Sequence, residues 1–239
     1  MIAVNNLTKT YKIGKETIEA VKGVSLAVSK AEMIAIVGHS GSGKTTLLSL
    51  IGGLTRPEHG TVAIGGTDIW SISDNALSEL RNKKMSFIFQ FTSLIPTLNV
   101  LENVLLPTLF GKGLSVDYAA SLLDKVGLGD RKGSYPYQLS GGQQRRVAIA
   151  RAFVNDPEIV LADEPTGDLD EETEADMLSL FKSINKEKGV TFIIVTHASD
   201  IARQCTKHYV MNKGIFGEKE EGGRLRPLLR PPLQGHQCP

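Results

Sequence analysis

Cysteine is nearly absent: Cys205 and Cys238 are the only two in 239 residues. Their separation fits no zinc-ligand spacing, and a single pair is too few for a disulfide framework, so both read as free thiols of a reducing compartment. Charge of one sign in excess is also missing. Lys and Arg number 27 against 26 Asp and Glu, a formal net charge of +1. That balance offers no bulk field for nucleic acid or an anionic membrane surface, and no nucleic-acid partner is expected; only a local basic patch stays open. Long hydrophobic runs are missing too. The most apolar stretches, Leu47–Leu54 and Val190–Val195, fall far short of the ~20 residues that cross a bilayer. The opening Met1-Ile-Ala-Val-Asn-Asn lacks the basic flank and apolar stretch of a secretion signal. The chain therefore reads as cytoplasmic, and work at a membrane would require a second, spanning polypeptide.

What is present is ordinary globular material, 41% hydrophobic and 22% charged, sized for one domain or two small lobes. Ile2–Val4 and Ile18–Val28 read as strands, with turn signals at Lys12–Lys15. Met33–Val37 is an uninterrupted apolar run of the kind that suits a strand covered on both faces. A glycine-rich turn follows, and Leu47, Leu48, Ile51 and Leu54 then recur at helical spacing. Thr61–Ile64 and Ser86–Phe89 are further strand candidates. From about Phe91 to Asp156 the pattern is helical and loop-rich, broken at Pro96, Pro107, Gly111, Gly113 and Pro136. Buried-strand character returns at Ile159–Ala162 and Thr191–Val195. Strands alternating with helices predict an α/β sheet, with the helical middle inserted between its strands. After Gly214 the chain turns to charge, glycine and proline, with Glu218–Glu221 and Arg224–Pro232, which reads as a poorly ordered tail or a partner-docking segment.

Gly38-His39-Ser40-Gly41-Ser42-Gly43-Lys44-Thr45, continued by Thr46, fits G-x-x-x-x-G-K-[ST] between a buried strand and a helix. Glycines let successive N–H groups turn toward phosphate oxygens, and the helix N-terminus adds partial positive charge. Lys44 can reach the β- and γ-phosphates, and the Thr45 hydroxyl can ligate Mg²⁺. Ile159–Glu164 supplies the companion, an apolar strand ending in two acids. Asp163 is placed to hold the metal and Glu164 to polarise the attacking water. On its own, this pair would be an acidic turn after a core strand.

Leu139-Ser140-Gly141-Gly142-Gln143 opens another helix. Ser140 can cap that helix, the glycines leave its N–H groups approachable, and Val147, Ala150 and Val154 give it a buried stripe. One chain thus carries two phosphate-binding elements. Two copies packed head to tail would place each nucleotide between the phosphate loop of one and Ser140–Gln143 of the other.

With these motifs in order, the sequence resembles the ATP-binding-cassette (ABC) ATPases from about Met1 to Gly214. Leu139–Gln143 resembles the family's signature. Tyr11 matches the aromatic that stacks on adenine, though an ordinary strand-end tyrosine would look the same. Gln90 resembles the glutamine that touches Mg²⁺ and senses the membrane partner; alternatively it is a polar strand end. Pro165–Asp170 resembles the loop that crosses to the other subunit, and His197 the switch histidine on the γ-phosphate. His39 stands where the family more often has proline or a basic residue; its backbone can still serve the loop. The resemblance implies a P-loop NTPase (RecA-like) α/β core with a small antiparallel β lobe and an inserted helical lobe. Residues 1–217 would form one ATPase domain, core 1–90 and 157–217, helical lobe about 91–156, with 218–239 a flexible tail. It implies ATP and Mg²⁺ as cofactors, an ATP-dependent homodimer, and a place on the cytoplasmic face of the cell membrane. Phe89–Pro107 is similar to the same segment of the lipoprotein-releasing and macrolide-exporting ATPases, which makes Phe91–Val100 the expected docking surface for a permease. The implied function is the ATPase subunit of a transporter, an exporter or extractor. The alternative is an ATPase of the same chemistry coupled to a membrane protein that moves nothing, as in cell division.

Overall fold

The structure is a computed structural model, and it describes residues 1–110, 115–167, 169–219 and 225–227. The expected breaks at Gly111 and Gly113, Asp168 of the crossing loop, and Cys238 lie outside the described residues.

Four strands make an antiparallel sheet in the order β2-β1-β4-β5: β1 (Ile2–Ile13), β2 (Glu16–Val28), β4 (His59–Ile64) and β5 (Thr67–Asp68). β1 runs well beyond the expected Ile2–Val4. Its pairing with β2 shifts register between Val4 and Leu7, where Asn6 takes φ +48°, and the bulge breaks the alternation that a straight strand would display.

The second sheet holds five parallel strands in the order β6-β7-β8-β3-β9: β3 (Met33–Val37), β6 (Met85–Ile88), β7 (Ile159–Asp163), β8 (Thr191–Thr196) and β9 (Lys207–Asn212). Successive side chains on these strands enter two different cores. Ile34, Ile36, Leu161 and Val195 pack toward the antiparallel sheet, α1 (Lys44–Ile51) and α2 (Asp74–Lys84). Val160, Ala162, Phe192 and Ile194 pack on the other face under α3 (Val100–Leu105), α4 (Val116–Lys125), α5 (Gly141–Phe153), α6 (Glu171–Lys188) and α7 (Ser199–Arg203). Burial on both faces is why these strands read as continuous apolar runs. The rings of Phe153, Phe181 and Phe192, with centroids 5.4–6.3 Å apart, lock α5 and α6 onto β8.

Three local readings differ. α1 stops at Ile51, because Gly52 and Gly53 (φ +68°) turn the chain away, so Leu54 is exposed beyond the helix. α2 is a helix without an apolar stripe; only Leu77 is buried. Its signals are its ends, with Ser73 accepting from Ala76 N, Asp74 in the first turn and Lys83 and Lys84 in the last. The expected tail from 218 is corrected in part. β10 (Ile215–Lys219) pairs antiparallel with β9, and β11 (Leu225–Pro227) pairs antiparallel with β10. Main-chain ladders and the Phe216 ring, packed on Tyr209 with centroids 5.0 Å apart, hold this edge, and one buried aromatic among charged and glycine neighbours is no apolar pattern to read. Residues 228–239 lie outside the described part. Among the described residues no helix is long and apolar enough to cross a membrane.

Candidate active site

The carboxyl ends of β3, β6, β7 and β8 open on one side of the sheet, where open α/β sheets receive ligands. The loop after β3 is closed on itself. Ser42 N donates to His39 O at 3.2 Å, and Lys44 Nζ donates to Gly38 O at 2.6 Å and His39 O at 3.1 Å. Two of its glycines are required. A Cβ on Gly38 would lie 2.2 Å from Met211 O, and one on Gly43 (φ +103°) would lie 2.0 Å from Ala20 O. The turn between β9 and β10 braces the loop from behind: Gly214 N donates to Ser42 O at 3.0 Å, and Lys22 N donates to Gly214 O at 2.9 Å. Sequence reasoning missed this brace, because its only signal is an ordinary Lys213-Gly214 turn.

In front of the loop lies a cavity of about 670 Å³. Ser40, Gly41, Ser42, Gly43, Lys44, Thr45 and Thr46 form one wall, with Gln90, Asp163, Glu164 and His197 facing them. Thr17–Ala20 and Lys22 of β2, with Lys213 and Gly214, complete the lining. Gly38 and His39 sit at the base of the loop and supply carbonyls to Lys44 rather than cavity surface. Tyr11 stands outside the lining on β1; its cross-strand partner Ile18 reaches the cavity. The Tyr11 ring is partly exposed and carries Lys9 Nζ 5.5 Å above it.

The polar groups are unequally placed. Lys44 and Asp163 are buried, and Ser42 Oγ is buried with no hydrogen-bond partner among the described residues. A buried orphan hydroxyl beside a buried ammonium fits an anion. Burial pushes the Asp163 carboxyl above its ordinary range, a hydrogen bond from Thr45 opposes this, the Glu164 charge adds to it, and the Lys44 and Arg145 charges oppose it. Thr45, Asp163 and Gln90 present oxygen donors of the kind a hard divalent cation takes. Glu164 holds φ +47°, a left-handed backbone that costs a non-glycine residue about 1–3 kcal/mol. The bend directs its carboxylate back to the end of β8. There Thr196 Oγ1 donates to Oε2 at 3.0 Å, His197 N donates to Oε2 at 3.3 Å, and His197 Nδ1 lies 3.0 Å from Oε1.

Ser140–Gln143 is the part of the expected site that lies elsewhere. It starts α5 and is no part of the cavity wall. Ser140 Oγ accepts from Gln143 N at 3.2 Å, while Gln143 Oε1 accepts from Ser140 N at 2.9 Å. This capping box uses the hydroxyl as acceptor only and leaves its O–H available to an anion.

The segment after β6 is a largely exposed loop held by the buried Asn103 and the half-buried Arg151. Phe91 is 78% exposed. Asn103, fully buried, accepts from Ile95 N at 2.8 Å and donates to the carbonyls of Ile95, Leu98 and Asn99 at 3.0–3.1 Å. Arg151 donates to Thr92 O at 2.7 Å and Ser93 O at 3.0 Å. Sequence reasoning singled out neither residue, since nothing in the Phe89–Pro107 segment or along the helix after Gln143 marks which polar side chain turns inward to main-chain groups. Asn103→Ala leaves those loop groups unpaired, so urea unfolding is expected to show a loss of about 3 kcal/mol.

A family model described as "ABC transporter" matches residues 21–167. The lipoprotein-releasing system ATP-binding protein LolD of Alcanivorax borkumensis is 43% identical over 219 residues, 90% of this chain and 96% of that protein. The macrolide export ATP-binding/permease protein MacB of Rhodopirellula baltica is 40% identical over 223 residues, 91% of this chain and 33% of that longer protein. Among solved structures, the dimeric post-hydrolysis state of the ATP-binding cassette MJ0796 bound to ADP and Pi superposes with a TM-score of 0.85 at 41% identity. That match covers 90% of this chain and 95% of that one.

Proposed function

The chain belongs to the ABC transporter ATP-binding family and is an ATPase of the nucleotide-binding type; from that premise we propose how its residues share the work and what they drive. Lys44 and the N–H groups of the phosphate loop bind the β- and γ-phosphates of ATP. Tyr11, beyond the Ile18 edge, stacks on the base. Thr45, Asp163 and Gln90 would hold Mg²⁺, which would supply neutralisation of the phosphate charge when bound. Glu164 accepts a proton from the attacking water. His197, in contact with Glu164, reaches the γ-phosphate and keeps that carboxylate aimed at it.

The observation that carries this reading is the division of the site. The cavity gathers Ser40–Thr46, Gln90, Asp163, Glu164 and His197, with Gly38 and His39 at the loop base and Tyr11 just beyond the Ile18 edge, whereas Ser140, Gly141, Gly142 and Gln143 open a separate helix. A second copy packed head to tail supplies them. ATP then closes the pair through contacts made only when the γ-phosphate is present, and hydrolysis releases it. Ser140→Arg is expected to abolish turnover through bulk at that contact, while a fluorescent ATP analogue still binds each monomer within about threefold of wild type; the analogue's own wall is untouched.

Residues 1–217 act as one cassette, with the 91–156 arm carrying the signature. Phe91–Val100, exposed at Phe91, Ser93 and Ile95–Thr97, anchored by the buried Val100 and fixed by Asn103 and Arg151, receives a membrane-spanning permease at the cytoplasmic face of the membrane. The likeness to LolD and MacB supports an exporter or lipoprotein extractor as the machine driven. The test is co-purification of tagged Glu164→Gln protein with ATP from detergent-solubilised native membranes. A polytopic permease with a large extracytoplasmic domain is expected. A division-type membrane protein, or soluble partners alone, would contradict the transport assignment.

A further inference from the structure

α5 carries Ser140 at its tip and, in its second turn, the buried Arg145, only 2% exposed. The guanidinium forks. Nη1 donates to Phe89 O and Nη2 donates to Gly167 O at 3.4 Å. Phe89 is the residue before Gln90. Gly167 belongs to the turn after β7, and its N–H donates to Glu164 O at 3.1 Å. One side chain on the signature helix therefore holds the main chain on both sides of the cavity's far wall. Its charge also acts on Asp163, between the two held segments. Arg151, two turns further along the same helix, holds Thr92 and Ser93 of the loop that Gln90 opens. The carbonyls held, those of Phe89, Gly167, Thr92 and Ser93, all belong to residues outside the cavity lining.

We infer that Arg145 is a positioning residue: it ties the signature helix to the Gln90 and Glu164 segments, so that seating Ser140 against a second copy sets both groups for hydrolysis. This rests on the roles given above to Gln90 and Glu164. A planar fork meets two carbonyls at fixed spacing; a lysine, with one point charge on a flexible stem, satisfies one of them. Loss of the fork displaces groups that must stand within hydrogen-bond reach of water and metal, whereas the phosphate loop on β3 and α1 is untouched.

The test uses the full chain and reports turnover per nucleotide-binding site, titrated with a fluorescent ATP analogue so that misfolded protein is not counted. Arg145→Met, which keeps bulk and removes every donor, is expected to lower turnover per site about tenfold, with analogue affinity within about twofold of wild type. Arg145→Lys is expected to recover part of this, to about threefold below wild type. Turnover per site equal to wild type in Arg145→Met, or affinity falling in parallel with turnover, would overturn the inference. If Arg145→Met does not fold, Arg145→Lys decides alone: unchanged turnover overturns the inference, and a threefold loss at unchanged affinity supports it. Glu164→Gln is assayed alongside. Normal turnover there removes the site reading itself; lost turnover there beside a normal Arg145→Met removes only the role of Arg145.

Discussion

Glu164→Gln is expected to cut ATP turnover by about 10²–10⁴-fold while ATP still binds, because only the proton acceptor is removed. The amide is nearly isosteric and can keep the contacts from Thr196 Oγ1 and His197 that hold the side chain at the end of β8. The left-handed turn at residue 164 is set by the backbone, through its N–H to Val195 O and its carbonyl to Gly167 N, so it survives the change. Phosphate binding is the work of a different element, the loop after β3. Single-turnover and steady-state assays read the loss, and equilibrium titration reads the retained affinity. Turnover near wild type would remove Glu164 as the base.

Lys44→Ala should fail in the opposite order. Lys44 is only 7% exposed and is folded across its own loop onto the carbonyls of Gly38 and His39. It is the cation of the loop wall, placed for the negative charge of the phosphates. Removing one partner of a desolvated charge pair costs about 2–5 kcal/mol. ATP affinity is therefore expected to fall about 100-fold or more, which is roughly 2.7 kcal/mol. Turnover falls with it. Calorimetric titration with Mg-ATP measures this, and an unchanged affinity would contradict the placement of the phosphates on this loop. The two variants together separate binding from chemistry on opposite walls of one cavity.

The parallel strands were legible because both faces of that sheet are covered. Met33–Val37, Ile159–Ala162 and Thr191–Val195 therefore have no polar side to hide them. β1 was only partly legible, since the bulge at Asn6 spoils its alternation. α2 and the β9–β10–β11 edge were illegible for a different reason: α2 is marked by its caps and buries only Leu77, and the edge strands bury only a few apolar residues, Tyr209, Met211 and Phe216 among them, amid polar neighbours. The cavity's chemistry was largely legible because phosphate binding by backbone demands glycines at fixed offsets from a lysine. The groups that hold the chemistry in place were not. Arg145 sits in a run of polar residues after Gln143, and nothing in the string tells which of Arg145 and Arg146 points inward. Its partners, Phe89 and Gly167, are 56 and 22 residues away and offer only carbonyls. The Gly214 brace is hidden in the same way, since a main-chain N–H to Ser42 O leaves no mark on residue type.

The central claim is that the site is completed by a second copy only when the γ-phosphate is present. Light scattering on purified Glu164→Gln protein with Mg-ATP and then with Mg-ADP tests it most directly, because that variant keeps the triphosphate intact. The account predicts twice the 25.9 kDa chain mass with ATP and a single chain with ADP. A single chain in both, with ATP shown to be bound, would contradict it.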